Sequence, residues 1–131
     1  MQPLDFEKIF KKDVLRKLFS PDRTILFFEA LLGNDEEGAF DIELVYTGYE
    51  QGRLNFQFHL KQRPGKCIAC SLTYGLPTVF RRHPIINIDG LLQDINDLLD
   101  NQAKCIRWQL GSTQEINGEL HVIPLTVFLE I

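Results

Sequence analysis

From Phe40 to Lys61 the side chains change character at nearly every residue. Phe40, Ile42, Leu44 and Tyr46 alternate with Asp41, Glu43, Val45 and Thr47. Past the turn YEQGR, Leu54, Phe56, Phe58 and Leu60 alternate with Asn55, Gln57, His59 and Lys61. Successive side chains of a strand point to opposite faces, so this period of two requires an antiparallel hairpin with one dry face and one wet face. The rest of the chain must then supply a cover for the dry face.

The flanking segments have the right periods to do so. Phe6, Ile9, Phe10, Val14 and Leu18 recur at helical spacing, which predicts an amphipathic helix over 5–18. Ser20 and Pro21 open a second helix that runs through Leu32 and stops at Gly33. From Ile25 to Leu32 only Glu29 is charged, so this helix is expected to be buried on several sides, by the sheet and first helix or by a second copy of the chain. CIACSLTY reads as a third strand with Ile68, Cys70, Leu72 and Tyr74 inward, and LPTVFRR as one short helical turn ended by Pro84. In NIDGLLQDINDLLD a stripe of Leu91, Leu92, Ile95, Leu98 and Leu99 predicts a third helix capped by Asn87 or Asp89. CIRWQLG, with Ile106, Trp108 and Leu110 inward, and ELHVIPLTVFLEI complete the strands. Pro124 marks the last one as an edge or a bulge, because it lacks the N–H that a central strand uses.

The expected fold is therefore α+β, in the order ααβββαββ: a mostly antiparallel five-stranded sheet with helices on one face, formed as a single domain over 1–131. With 44% apolar residues and ten phenylalanines, a core can form without disulfide staples. Charges interrupt the first 13 residues, no apolar run approaches the roughly 18 residues of a membrane span, and three cysteines cannot all pair. These features point to a reducing cytoplasm.

The net charge of −4 conceals a division. Residues 51–88 hold Arg53, Lys61, Arg63, Lys66, Arg81 and Arg82 and no acid, while the rest of the chain holds the other eight bases and all 18 acids. Either a strand-rich segment happens to carry charges of one sign, or this is a surface for an anion or an acidic partner. On the second reading the open face of the sheet presents Arg53, His59, Lys61 and Arg107, with Arg63, Lys66, Arg81, Arg82 and His83 in loops at its border. Arginine's planar fork suits carboxylate and phosphate. His83, just before Pro84, either adds a pH-sensitive charge or stands idle in an exposed loop.

Other chemistries fit less well. Cys67 and Cys70 could hold zinc with Cys105 and His83, but there is only one C-x₂-C pair. If CIACSLTY is extended, that odd separation puts the two thiols on opposite faces. A thiol–disulfide enzyme needs a helix N-terminus beside CIAC, and the following residues favour a strand. Ser71, His83 and Asp89 have no nucleophile elbow around them, and the scattered glycines form no phosphate loop. An acidic chain whose Phe56 and Phe58 point inward is a poor nucleic-acid binder, and ILFFEALL lacks the polar face of a recognition helix. The expectation is binding without catalysis and with no cofactor, a small enzyme or metal protein at Cys67, Cys70 and His83 being the alternative. The expected partner is a protein with an acidic segment or a small anion, and a homodimer through the second helix is a further option.

At RPGKCIACSLTYGLP, RHPIINI and ELHVIPL the chain resembles a small family of uncharacterised bacterial proteins of about this length, sometimes given a homeobox-type name. The resemblance covers nearly the whole chain and implies no established activity, and the helix count and lack of a basic exposed helix argue against that name. The βββαββ order also looks like that of bacterial secretion chaperones, small acidic dimers that hold an effector segment. Those end in a further helix absent here, and the likeness implies only a partner-binding role.

Overall fold

The structure, a computed structural model, describes residues 6–33, 38, 40–66, 75–100 and 102–130. Among the described residues, five helices, α1 (Phe6–Ile9), α2 (Lys12–Leu18), α3 (Pro21–Leu32), α4 (Leu76–Arg82) and α5 (Ile88–Leu98), accompany five strands, β1 (Phe40–Glu50), β2 (Arg53–Gln62), β3 (Lys104–Leu110), β4 (Gln114–Asn117) and β5 (Leu120–Glu130). The fold is α+β with an antiparallel sheet, as the alternating pattern requires. The segment 67–74, expected as the third strand, lies outside the described residues. Strand β4 was not expected from the sequence: its four residues QEIN are all exposed and carry no alternation.

The sheet runs β1-β2-β5-β3, and β4 also pairs with β5. The final strand is therefore central, and Pro124 sits in its middle opposite Gln57 of β2. The carbonyl of Pro124 accepts from the N–H of Gly111 at 2.8 Å, so the proline nitrogen faces the same side, toward β3 and β4. There the edge is interrupted: β3 ends at Leu110 opposite Leu125, and β4 resumes at Gln114 opposite Val122. The missing donor thus points at a break in the partner strand, which is how a proline is tolerated inside a sheet. The alternatives the sequence left, edge or bulge, resolve to a central strand with the irregularity in its neighbour.

The dry face carries Phe40, Ile42, Leu44, Leu54, Phe56, Phe58, Leu60, Ile123, Leu125 and Val127, all buried, and the helices cover it. Phe58 meets Phe19 of the α2–α3 link and Phe80 of α4 edge-on at 5.5 and 5.4 Å. Phe80 in turn meets Phe27, Phe27 meets Phe28, and Phe28 meets Phe40. Such edge-to-face pairs add about 0.5–1.5 kcal/mol each beyond their buried area. The first helix is split, with Lys11 extended between α1 and α2. The break lets Phe6 and Phe10 reach Tyr49, Tyr46 and Phe56 while Leu15 and Leu18 still face the core, which one straight helix would not allow over a twisted sheet.

Helix α3 is covered by its own chain on one side only. Its Thr24, Phe27 and Phe28 are buried, but Ile25, Leu26, Leu31 and Leu32 are 40–47% exposed. Ile106, expected inward, is also exposed, because a register shift between Cys105 and Arg107 takes it out of the alternation; Trp108 and Leu110 do face the core as expected. In α5 the cap is Asn87, whose side chain accepts from the Gly90 N–H, while Asp89 accepts from the Trp108 indole N–H at 2.7 Å and ties the helix to β3.

Thr24 makes the join between helix layer and sheet edge. Its hydroxyl accepts from the Ile42 N–H at 3.2 Å and faces the Ile42 carbonyl at 3.4 Å. Strand β1 is an edge, and this contact takes up an N–H and C=O that another strand would otherwise use. Thr24→Val keeps the shape and leaves a buried N–H unpaired. It is expected to lower unfolding free energy by about 1–3 kcal/mol, read as a shifted urea midpoint at unchanged slope.

Candidate functional site

The pairing registers arrange the open face in rows across the strands. One row reads Glu50, Arg53, Phe128, Arg107 and the next Gly48, Asn55, Thr126, Gln109. A row at the far end reads Glu43, His59, Val122, Gln114, followed by Asp41, Lys61, Leu120, Asn117. Arg53 and Lys61 are thus eight residues apart along β2, about 26 Å at strand rise. The basic residues that the sequence places on one wall occupy its two ends.

At the first end two guanidinium groups share one aromatic ring. The Arg53 carbon lies 5.4 Å and the Arg107 carbon 4.1 Å from the centroid of Phe128. The strands β2 and β3 hold them in register on either side of β5, and the ring's negative faces attract both cations. Among the described residues neither arginine has a carboxylate within 4.0 Å. Both side chains are exposed, and the next row across the sheet is the uncharged Asn55, Thr126 and Gln109. The arrangement has two fixed positive charges, a flat apolar centre and a polar surround: the elements needed to hold a carboxylate or phosphate on a hydrocarbon stem.

Three of the other expected cations have partners elsewhere. Lys61 donates to the Glu43 carboxylate, and Arg63 donates to Asp41 at 3.0 Å while lying over the Phe28 ring. The Lys61 ammonium holds the Glu43 carboxyl below the usual carboxylate range. Both acids come from β1, which lies beside β2 in space but outside the acid-free stretch of sequence. Arg81 reaches the Leu110 carbonyl at 3.3 Å from α4; Arg82 is exposed on the same helix, and Lys66 is exposed after the 63–66 turn.

His59 sits on the open face with Nε2 2.9 Å from Gln57 Oε1. His83 is not in an exposed loop: its ring packs edge-on against Phe27 at 4.8 Å, and its Nδ1 accepts from the Ile85 N–H at 3.2 Å. Cys105 is half-buried, its N–H donating to Asn96 Oδ1, and burial pushes its thiol up to about 11. Cys67, Cys70 and Ser71 lie outside the described residues. Among those described, no three His, Cys, Asp or Glu side chains are grouped for a metal, and no helix is long and apolar enough to cross a membrane.

Phe128 is the residue that sequence reasoning missed. The parity of the last strand, with Ile123, Leu125 and Val127 inward, assigns Phe128 to the open face, but VIPLTVFL is apolar at almost every position and hides that alternation. A second concave feature opens near Lys61, a pocket of about 400 Å³ between α2, the start of α3 and the β1 edge. Compared with protein-family models, curated proteins and solved structures, the chain matches none.

Burial lowers the affinity of both His59 and His83 for a proton; for His59, Glu43 opposes this and Lys61 adds to it. An unfolded chain then takes up protons near pH 6.5 that the fold resists. The histidine contribution to stability is complete above that pH and is lost as pH falls through the lower folded values. Urea unfolding at about pH 7.5 and 5.5 is expected to show a weaker fold at the lower pH. The difference should shrink in His59→Gln, where the acid-side penalty at that position is gone.

Proposed function

We propose that this protein is a non-catalytic binding module whose open sheet face takes an acidic segment of a partner protein, with Arg53 and Arg107 as the charged contacts and Phe128 as the platform between them. The observation that carries this reading is the pair of guanidiniums on one ring, neither of which has a carboxylate within 4.0 Å among the described residues, Glu50 opposite Arg53 included. Ordinary surface arginines spread over nearby acids. Here three adjacent strands hold two of them a ring's width apart, where their mutual repulsion is relieved by an anion. A sheet face is flat, which favours an extended peptide over a small solute that needs enclosure. The ring gives the aliphatic stem of a glutamate somewhere to lie while its carboxylate meets the arginine forks.

The neutral row of Asn55, Thr126 and Gln109 extends the same surface toward His59 and offers donors and acceptors to a peptide backbone. The matched pairs at the far end, Lys61 with Glu43 and Arg63 with Asp41, add little net attraction. Affinity is therefore concentrated at one end of the face.

The test is isothermal titration of a synthetic glutamate-rich peptide into the full chain at low and moderate salt. Arg53→Glu with Arg107→Glu is expected to weaken binding at least about tenfold, which is ~1.4 kcal/mol, and to flatten its dependence on salt. Phe128→Ala should weaken it less. Unchanged affinity and salt slope in the doubly reversed variant would show that the peptide does not use this face.

A further inference from the structure

The pocket between α2 and the β1 edge lies at the opposite end of the sheet from Phe128, and nothing in the reading above uses it. Five charged side chains converge there: Lys12, Arg16 and Lys61 against Asp41 and Glu43. Both acids are already matched, Asp41 by Arg63 and Glu43 by Lys61. Lys12 and Arg16 have no carboxylate within 4.0 Å among the described residues, so the pocket is left with two surplus positive charges. They stand one helical turn apart on α2, hence on the same face, a spacing at which like charges oppose helix formation unless something answers them.

The remaining lining is apolar. Phe19 and Ile42 border the pocket while being almost wholly buried, and Pro21 adds its ring from the first turn of α3. Thr24 is the polar group at the base, and its hydroxyl is engaged with Ile42. An occupant therefore meets the two cations of α2, the Pro21 ring and the small exposed margins of Phe19 and Ile42. A volume of about 400 Å³ is near the lower end of the range of ligand sites, roughly 300–1,000 Å³, and suits a single ring or short chain better than a peptide segment.

We propose that this pocket binds a small organic oxyanion, a carboxylate or phosphate on an apolar body, with Lys12 and Arg16 holding the anion and Phe19, Pro21 and Ile42 packing the body. Arg16 offers a two-pronged fork and Lys12 a movable point charge, which together accept either oxyanion. The site stands on residues and a concavity separate from Arg53, Phe128 and Arg107.

The full chain labelled with nitrogen-15 would be titrated with benzoate, phenyl phosphate and inorganic phosphate while amide shifts are followed. Saturable shifts at Lys12, Arg16, Thr24 and Ile42 are expected with benzoate or phenyl phosphate, and the relative strength of those two identifies the oxyanion. Lys12→Ala with Arg16→Ala, both at exposed positions, should weaken binding roughly tenfold or more, whereas Arg53→Glu with Arg107→Glu should leave it as in wild type. Three results would each overturn the proposal: no saturable shift with either aromatic anion, undiminished binding in the Lys12 and Arg16 variant, or inorganic phosphate binding as tightly as phenyl phosphate. Loss of peptide binding on the open face has no bearing on these outcomes, so the two readings fail separately.

Discussion

Phe58 is the contact on which the architecture depends. It sits fully buried in β2, receives the edge of Phe19 from the helical layer on one side and of Phe80 on the other, and pairs across to Ile123 in the central strand. From it runs a chain of rings, Phe80 to Phe27 to Phe28 to Phe40, that returns to the edge strand β1. Helices α3 and α4 are thus positioned by ring geometry more than by hydrogen bonds. Truncating such a residue removes transfer energy and leaves a void; losses of about 3–5 kcal/mol are typical for a buried phenylalanine. Against a total stability of about 5–15 kcal/mol, that is a large fraction.

Nine of the ten phenylalanines belong to this core. The tenth, Phe128, stands on the other side of the sheet between two arginines. That placement follows from strand parity: Val127 and Leu129 face the core, so the residue between them cannot. A phenylalanine on a solvated face forfeits part of its burial energy, and stacking against two guanidiniums recovers part of it. The sheet face thus acquires a rigid centre that serine or threonine would not give.

How much of this was legible depended on whether a pattern was local. The hairpin from Phe40 to Lys61, the α5 stripe and the Ser20–Pro21 start of α3 were readable because their periods and end residues sit within a few positions of one another. The kink at Lys11 was not, because its cause is the twist of a sheet formed 30 or more residues later. The centrality of β5 was hidden by Pro124, whose missing N–H is excused only by the gap between β3 and β4. The exposed side of α3 was hidden by its uniformly apolar sequence, which gives no face to choose. In the candidate site, Arg53 and Arg107 were legible as wall residues from strand parity, but their meeting needed β5 to come between them.

The charge pattern makes the same point about sequence and space. An acid-free stretch of sequence need not make an acid-free surface, because an antiparallel sheet sets each strand beside a neighbour drawn from elsewhere. Strand β1 contributes Glu43 and Asp41 beside the end of β2, where they pair diagonally with Lys61 and Arg63, and those cations are cancelled. Strand β5 contributes Phe128 to the row of Arg53 and Arg107, and those have no ion pair among the described residues. What remains positive on this face is the pair Arg53 and Arg107, whose shared β5 neighbour Phe128 is uncharged and which have no carboxylate within 4.0 Å among the described residues, although Glu50 of β1 stands in register with Arg53. A basic site on a sheet is thus specified jointly by the strand that carries the charge and by the strand that withholds its counterpart. A single run of sequence displays only the first of these.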